Sequence, residues 1–299
     1  MLSTWNGARF LRAQLDSLVA QTHPTWSLWY RDDGSHDSTT DIMREFRLGP
    51  GLGRCVDVSD GKRLGAAKSF LHLLAVARTS EAQLFAFADQ DDVWLPEKLA
   101  RGVDALTRAP HGVPALYCAR QWLVDATLNH RRLSAPVRRP PGFLPALTQN
   151  IATGCTIMLN RAAADCILAS KPPDEAWHDW WCYLVVAGCG GLVLADPTPV
   201  ILYRQHGANA IGAPASQTRR GVAAIRRGRA SFMRILHAHV AALKAAPHLL
   251  SGPSRCQLDI VARALESGVR ARIAALRMSG FARQTFAESL IFRLWFLLG

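Results

Sequence analysis

Along the first hundred residues, short apolar runs that stop abruptly in polar turns alternate with stretches whose apolar positions recur every three or four residues. Residues 26–30, 55–59 and 83–88 are runs of the first kind and predict strands. Phe10, Leu11, Leu15, Leu18 and Val19 share one helical face, with Pro24 just beyond its end. Further helices are expected over 39–47, with Asp37-Ser38 as its cap, over 66–78, and from Pro96 in a first turn to about Thr107. Met1 to Gly7 reads as the last residues of a strand followed by a turn. Strict strand–helix alternation implies a parallel sheet with helices on both faces.

After Pro110 the pattern is mixed. Residues 115–119, 121–125, 155–159, 191–195 and 200–203 predict strands. Asn160 caps a short helix, and residues 177–188 form a long apolar one. The basic, proline-rich stretch 131–145 is expected to be a mobile loop. From Arg219 onward everything reads helical. Ile225, Phe232, Ile235 and Leu236 lie among Arg219, Arg220, Arg226, Arg227, Arg229 and Arg234, and an apolar run closes the chain at 290–298.

Composition changes this reading in one place. The net charge is +12, but residues 213–299 hold fourteen Lys/Arg against Asp259, Glu266 and Glu288, which is +11 and leaves +1 for the rest. The basicity is therefore a property of the C-terminal segment, which suits contact between 219–299 and an anionic membrane surface or a solvated helical hairpin over the sheet. Nucleic acid is not expected as a partner, because the aromatics are not interleaved as stacking platforms. Seven scattered cysteines, never spaced CxxC, argue against a disulfide framework and a zinc site. No signal peptide and no apolar run of ~18–20 residues is visible, so a cytoplasmic protein, peripheral at the inner face of the cell membrane, is expected.

The candidate chemistry sits where strands end. Asp89-Gln90-Asp91-Asp92 follows an apolar run directly, and a sheet interior does not tolerate three carboxylates, each costing several kcal/mol if buried unpaired. They belong at the sheet's C-terminal edge, as hard oxygen ligands for Mg²⁺ or Mn²⁺ or as helix caps. Asp32-Asp33-Gly34-Ser35 ends another strand of the same sheet and can face the same ligand. It is neither GxGxxG nor a P-loop, and suits a base or ribose contact better than a phosphate cradle. Together the turns describe a nucleotide-diphosphate site.

Thr4-Trp5-Asn6-Gly7, the 14–22 helix end, residues 32–39 and residues 89–98 resemble a family 2 glycosyltransferase. Thr153-Gly154-Cys155-Thr156, His178-Asp179-Trp180-Trp181 and Tyr203-Arg204-Gln205-His206-Gly207-Ala208-Asn209 are similar to its bacterial rhamnosyltransferase-like branch. The ordered set spans about residues 1–212. It implies an α/β GT-A fold with a mainly parallel nucleotide-binding sheet over 1–212, followed by a basic helical segment over 213–299. It also implies a dTDP- or UDP-sugar donor, a divalent cation and inversion at the anomeric carbon. Carried over by position, Thr4, Asn6, Asp32, Asp33, Asp89 and Gln90 become nucleotide-sugar contacts, with Asp89 and Asp91 the DxD pair. Asp91 and His206 become metal contacts. Asp179 becomes the general base that takes the acceptor hydroxyl's proton; by itself it could equally be an acid on a helix dipole.

Two departures accompany the resemblance. Relatives have a complete first strand before the Thr-Trp-Asn-Gly turn, and its shortness here predicts a weakened sheet edge or a later start than the natural one. Arg63 stands where relatives commonly have Asn. The expected activity is transfer of a sugar, L-rhamnose foremost, to a surface-polysaccharide or lipid-linked acceptor. The alternatives are a catalytically silent binding subunit of a polysaccharide-assembly complex and, more remotely, a nucleotidyltransferase.

Overall fold

The computed structural model describes residues 1–174, 176–206 and 217–299, with side chains from 228 onward in the last stretch. The first half runs β1 (Leu2–Thr4), α1 (Ala8–Val19), β2 (Leu28–Asp32), α2 (Thr39–Leu48), β3 (Cys55–Asp57), α3 (Ala66–Ala77), β4 (Leu84–Ala86), β5 (Val93–Trp94) and α4 (Lys98–Thr107). Then follow β6 (Ala115–Val124), β7 (Arg132–Leu133), α5 (Phe143–Thr148), β8 (Met158–Asn160), α6 (Arg161–Ala169), α7 (His178–Gly188) and β9 (Leu192–Arg204). The C-terminal helices are α8 (Gln217–Ala245), α9 (Gly252–Glu266), α10 (Val269–Leu276) and α11 (Phe286–Leu298). Gly228, at φ +77°, kinks α8, a backbone state that glycine adopts without steric cost.

β1, β2 and β3 form a parallel ladder in the order β1-β2-β3. A second, mixed sheet has the order β4-β8-β6-β9-β5, with β7 on β6. The two meet where Leu2 bridges Ala88 in parallel and Ala88 N–H donates to Met1 O at 2.9 Å. β1 is short, yet Leu2, Ser3 and Thr4 all pair with β2, which matches the three pairs between β2 and β3. The described ladder is thus equally long on both sides of β2.

Only part of the sheet is parallel. Strict alternation ends near Pro110, and β8 returns antiparallel between β4 and β6, as β5 does beside β9. The two strands expected over 115–125 are one strand, because a bulge around Arg120 absorbs the polar break. Likewise 191–195 and 200–203 fuse into β9, with Pro199 at that same bulge, where a missing N–H disturbs the ladder least. The strand expected at 155–159 begins as a 3-10 turn over Gly154–Thr156, closed by Thr153 O accepting from Thr156 N–H at 2.8 Å.

Residues 131–145 are not one loop. They include β7 and the start of α5, whose Pro145 lies in a first turn where its lost N–H is not needed. Pro96, conversely, precedes its helix, which begins at Lys98. Asn160 caps α6 as expected, accepting from Ala163 N–H.

Helices cover the sheet through two apolar clusters. Leu11, Leu15 and Leu18 of α1 pack with Ile42, Met43 and Phe46 of α2 on one side. The other cluster joins Phe70, Phe87, Leu147 and Tyr183 to Phe232, Leu236, Phe281, Phe292 and Phe296, so the C-terminal helices share the core of the sheet domain.

Candidate active site

The turn after β1 and the acidic turn after β4 are tied together by one side chain. Gln90 Oε1 accepts from Trp5 N–H at 2.8 Å, and its Nε2 donates to Trp5 O at 3.0 Å. Gly7 leaves room for this amide, since a Cβ there would lie 2.1 Å from Gln90 Oε1. Asn6, at φ +47°, donates its N–H to Ser35 Oγ and accepts from His36 N–H through Oδ1, both at 2.8 Å. Asp37 Oδ2 accepts from Ala8 N–H and Oδ1 from Thr39 N–H, so one carboxylate serves the first turns of both α1 and α2.

Asp32 and Asp33 are both engaged within the fold. Asp32 accepts from Thr4 Oγ1 at 2.9 Å, from Ser35 Oγ at 2.6 Å, and from the N–H groups of Gly34 and Ser35. Asp33, only 3% exposed, accepts from Leu64 N–H at 2.6 Å, Gly65 N–H at 2.7 Å and the buried Arg31 guanidinium at 2.5 Å. Arg31 also reaches Asp60 and the Lys62 carbonyl. This network sets the 60–65 loop against β2, and Arg63 from that loop lies over the Trp5 ring at 4.3 Å.

A cavity of about 400 Å³ opens between these turns. Thr4, Asp33, Arg63, Asp89, Gln90, Asp91 and Asp179 line it; Asn6 and Asp32 do not, and bond to His36 and Thr4 in the turns beside it. His206, from the end of β9, contacts Asp91 with Nε2 at 2.8 Å from Oδ2 and packs on the Phe10 ring. Of the expected site residues, Thr4, Asp33, Asp89, Gln90, Asp91 and Asp179 thus share one cavity, His206 is tied to it through Asp91, and Asn6 and Asp32 spend their side chains on the adjoining turns. Gly207, Ala208 and Asn209, the end of the expected motif, lie outside the described residues, as do the side chains of Arg219, Arg220, Ile225, Arg226 and Arg227.

The electrostatics are those of crowded acids. Burial, then the charges of Asp91 and Asp179, push Asp89 up to about 7. Asp92 lies below, fully buried, and is driven upward by burial first and by Asp91 and Asp89 second. Its Oδ1 accepts from Arg204 N–H, and that contact and the Cys155 thiol only partly oppose the upward shift. Such a set of hard oxygens, short of positive charge, fits Mg²⁺ or Mn²⁺. The ligand atoms of Asp89, Asp92 and Cys155 also converge within 4.8 Å, but burial raises the Cys155 thiol and keeps it protonated, a poor match for those ions. That trio is the floor of the site. Beside it Lys98 is wholly buried, its Nζ 3.4 Å from the Trp94 ring centroid and its pKa drawn down to about 7 by desolvation.

Asp179 stands in the first turn of α7, where its Oδ1 accepts from Trp180 N–H at 2.6 Å. Burial raises its pKa to about 6 against the pull of the Trp180 and Gly154 N–H groups and the Asn150 side chain. His178 beside it is buried, neutral because burial drops its pKa to about 3, and stacked on Phe70 at 4.4 Å. Asp179 belongs to two cavities. The second, also about 400 Å³, lies between β6, β9, α5 and the C-terminal helices and is lined in part by Asn150, Trp180, Phe232, Glu288 and Trp295. Thr153, Trp177, Asp179 and Tyr203 line both. Of these four only Asp179 was anticipated as a site residue. The others stand in or beside the motifs at 153–156, 178–181 and 203–209, which was the available signal. Lys98 and Cys155 also stand within motifs, at 89–98 and 153–156, but their burial beneath the carboxylates is set by tertiary packing.

Residues 1–168 match the profile of Glycosyl transferase family 2. The chain belongs to that family. This family 2 glycosyltransferase is 28% identical over 225 residues to the Shigella flexneri "dTDP-rhamnosyl transferase RfbG", covering 71% of this chain and 74% of that protein. A Nostoc protein described as an uncharacterized glycosyltransferase is 32% identical over 105 residues, 35% of this chain and 31% of its own. Among solved structures, Staphylococcus aureus TarS with UDP superposes with a TM-score of 0.54 at 16% identity, covering 93% of this chain and 74% of the other. A Pyrobaculum calidifontis mannosyltransferase with GDP-Man and Mn²⁺ gives 0.52 at 20% identity, covering 99% and 84%. These likenesses show the GT-A fold for the family 2 chain.

Proposed function

We propose that this glycosyltransferase is inverting and metal-dependent, and that it moves a sugar, L-rhamnose from a dTDP donor in the first instance, onto a saccharide or lipid-linked acceptor. The observation that carries the reading is the meeting of two cavities at Asp179. One cavity holds the acidic turn and takes the nucleotide sugar; the other admits the acceptor. A single carboxylate at the junction suits one in-line displacement. The acceptor oxygen bonds to the anomeric carbon as the carbon–oxygen bond to the diphosphate breaks, the hydroxyl proton passes to Asp179, and the diphosphate leaves with the bonding electron pair.

Asp91 and His206, with Asp89 adjacent, would hold the cation. When bound, it would offset the charge developing on the departing diphosphate. Trp177 and Tyr203 flank the junction, and Trp180 is held in place by its indole N–H, which donates to Ala146 O at 2.7 Å. The dTDP-sugar preference comes from the Shigella relative's name and the order of shared motifs.

The test is release of dTDP from dTDP-rhamnose with Mg²⁺ or Mn²⁺, measured for the wild type, Asp179→Asn and Asp91→Ala. Asp179→Asn should lower turnover by about 10²–10⁴-fold, and Asp91→Ala should abolish the response to added metal. Undiminished activity in both variants would sink the mechanism.

A further inference from the structure

The last helix has two different faces. Inward, Phe292 and Phe296 are fully buried against Phe281, and Glu288 and Trp295 line the second cavity. Outward, Phe286, Leu290, Leu294 and Leu298 are 79%, 59%, 55% and 61% exposed. At about 100° per residue, this four-residue spacing confines them to a sector of roughly 120°. Val269 and Ile273 of the neighbouring α10 are exposed as well. So regular an apolar stripe, continued on α10 by Val269 and Ile273, marks an interaction surface.

Charge decides the occupant. Residues 228–299 carry ten Lys/Arg against three acids. Arg293 falls at the edge of the stripe, and the guanidinium groups of Arg229 and Arg272 donate to Leu298 O and Leu297 O at its C-terminal end. A second copy of the chain would set two such basic faces against each other. A surface of anionic headgroups over acyl chains meets both the stripe and its surroundings. Among the described residues no helix is long and apolar enough to cross a membrane, so the helix would lie in the interface.

We propose that α11 seats the enzyme on an anionic lipid surface. One side of α11 then meets the membrane while the other, through Glu288 and Trp295, walls the second cavity; that this sets the acceptor site beside the membrane rests on the reading of that cavity given above.

The test is co-sedimentation of the full chain with phosphatidylcholine vesicles, with and without phosphatidylglycerol. Binding should require phosphatidylglycerol, weaken as salt rises, and fall by about tenfold or more in a Leu290→Glu, Leu294→Glu variant. Both positions are exposed, so the variant's thermal unfolding should match the wild type. Its binding of dTDP with Mn²⁺, measured by calorimetry, should also be unchanged. Binding indifferent to phosphatidylglycerol, or equal in the variant, overturns the proposal. So does a dimer in sedimentation velocity that the same substitutions dissociate. A wild type that sediments with anionic vesicles but ignores dTDP would instead defeat the catalytic reading and leave the docking surface standing.

Discussion

At Asp179 two effects oppose each other. Desolvation favours the protonated acid, while N–H donors at the start of α7 favour the carboxylate, and desolvation prevails to leave the group near 6. The sign of the pH dependence follows. A base must be ionised to accept a proton, so kcat/KM should rise through about pH 6 to a plateau and fall away below it as Asp179 protonates. A pH profile on dTDP-rhamnose checks this, and the residual rate of Asp179→Asn should lack that limb. Because the half-buried carboxylate is held above its unfolded value, it weakens the fold at neutral pH, and the loss is relieved as the pH drops below the folded value. Asp179→Asn should therefore melt no lower than the wild type at pH 7.5, a separation of function from stability that differential scanning fluorimetry would read.

The 3-10 turn at Gly154–Thr156 and the first turn of α7 approach each other closely. A Cβ at Gly154 would fall 2.8 Å from His178 Nε2 and 3.5 Å from Asp179 Cβ. The imidazole cannot yield, since Phe70 stacks on one side and the Phe87 ring meets it edge-on. Gly154→Ala should then displace the α7 terminus, lowering kcat by about 10²-fold, as the proposed role of Asp179 predicts for a ~1 Å misplacement. Donor binding measured by calorimetry should stay close to wild type. Elements of this kind were partly legible in the sequence. The acidic turns were visible because an apolar run cannot absorb three carboxylates, and α1, α2 and α7 because their apolar positions keep a helical period or an unbroken apolar run. The merged strands β6 and β9 were not, since a bulge at Arg120 looks like a break to any period-two reading. The 131–145 stretch misled because its prolines and arginines describe a loop locally, while pairing with β6 and burial of Phe143 and Leu144 are tertiary events. Within the site, residue types and order were readable. That Asp32, Asn6 and Gln90 bond to neighbouring turns depends on distances that no single stretch encodes.

At the scale of the molecule, one apolar cluster runs from Phe70 and Phe87 beneath the sheet to Phe292 and Phe296 of α11. Phe292 is 0% exposed and meets Phe232 and Phe281 edge-to-face at 5.7 and 5.0 Å. Phe292→Ala should cost about 3–5 kcal/mol. Because the cluster is shared, the loss should appear as one transition at lower urea, followed by both circular dichroism and tryptophan fluorescence; two separated steps would contradict a common core.

β9 has a further consequence. Over thirteen residues, about 43 Å if fully extended and with the Pro199 bulge within it, it passes the wall of the second cavity at Ala195 and Asp196, reaches the junction of the two cavities at Tyr203, and leads to His206 at the acidic turn. The strand is a ruler between the two cavities. Recombining relatives by exchanging acceptor pockets would succeed only with crossover points that keep its length and phase, because a one-residue slip would turn Tyr203 to the opposite face. Under the proposed division of roles, an exchange of acceptor pocket must carry this strand with it.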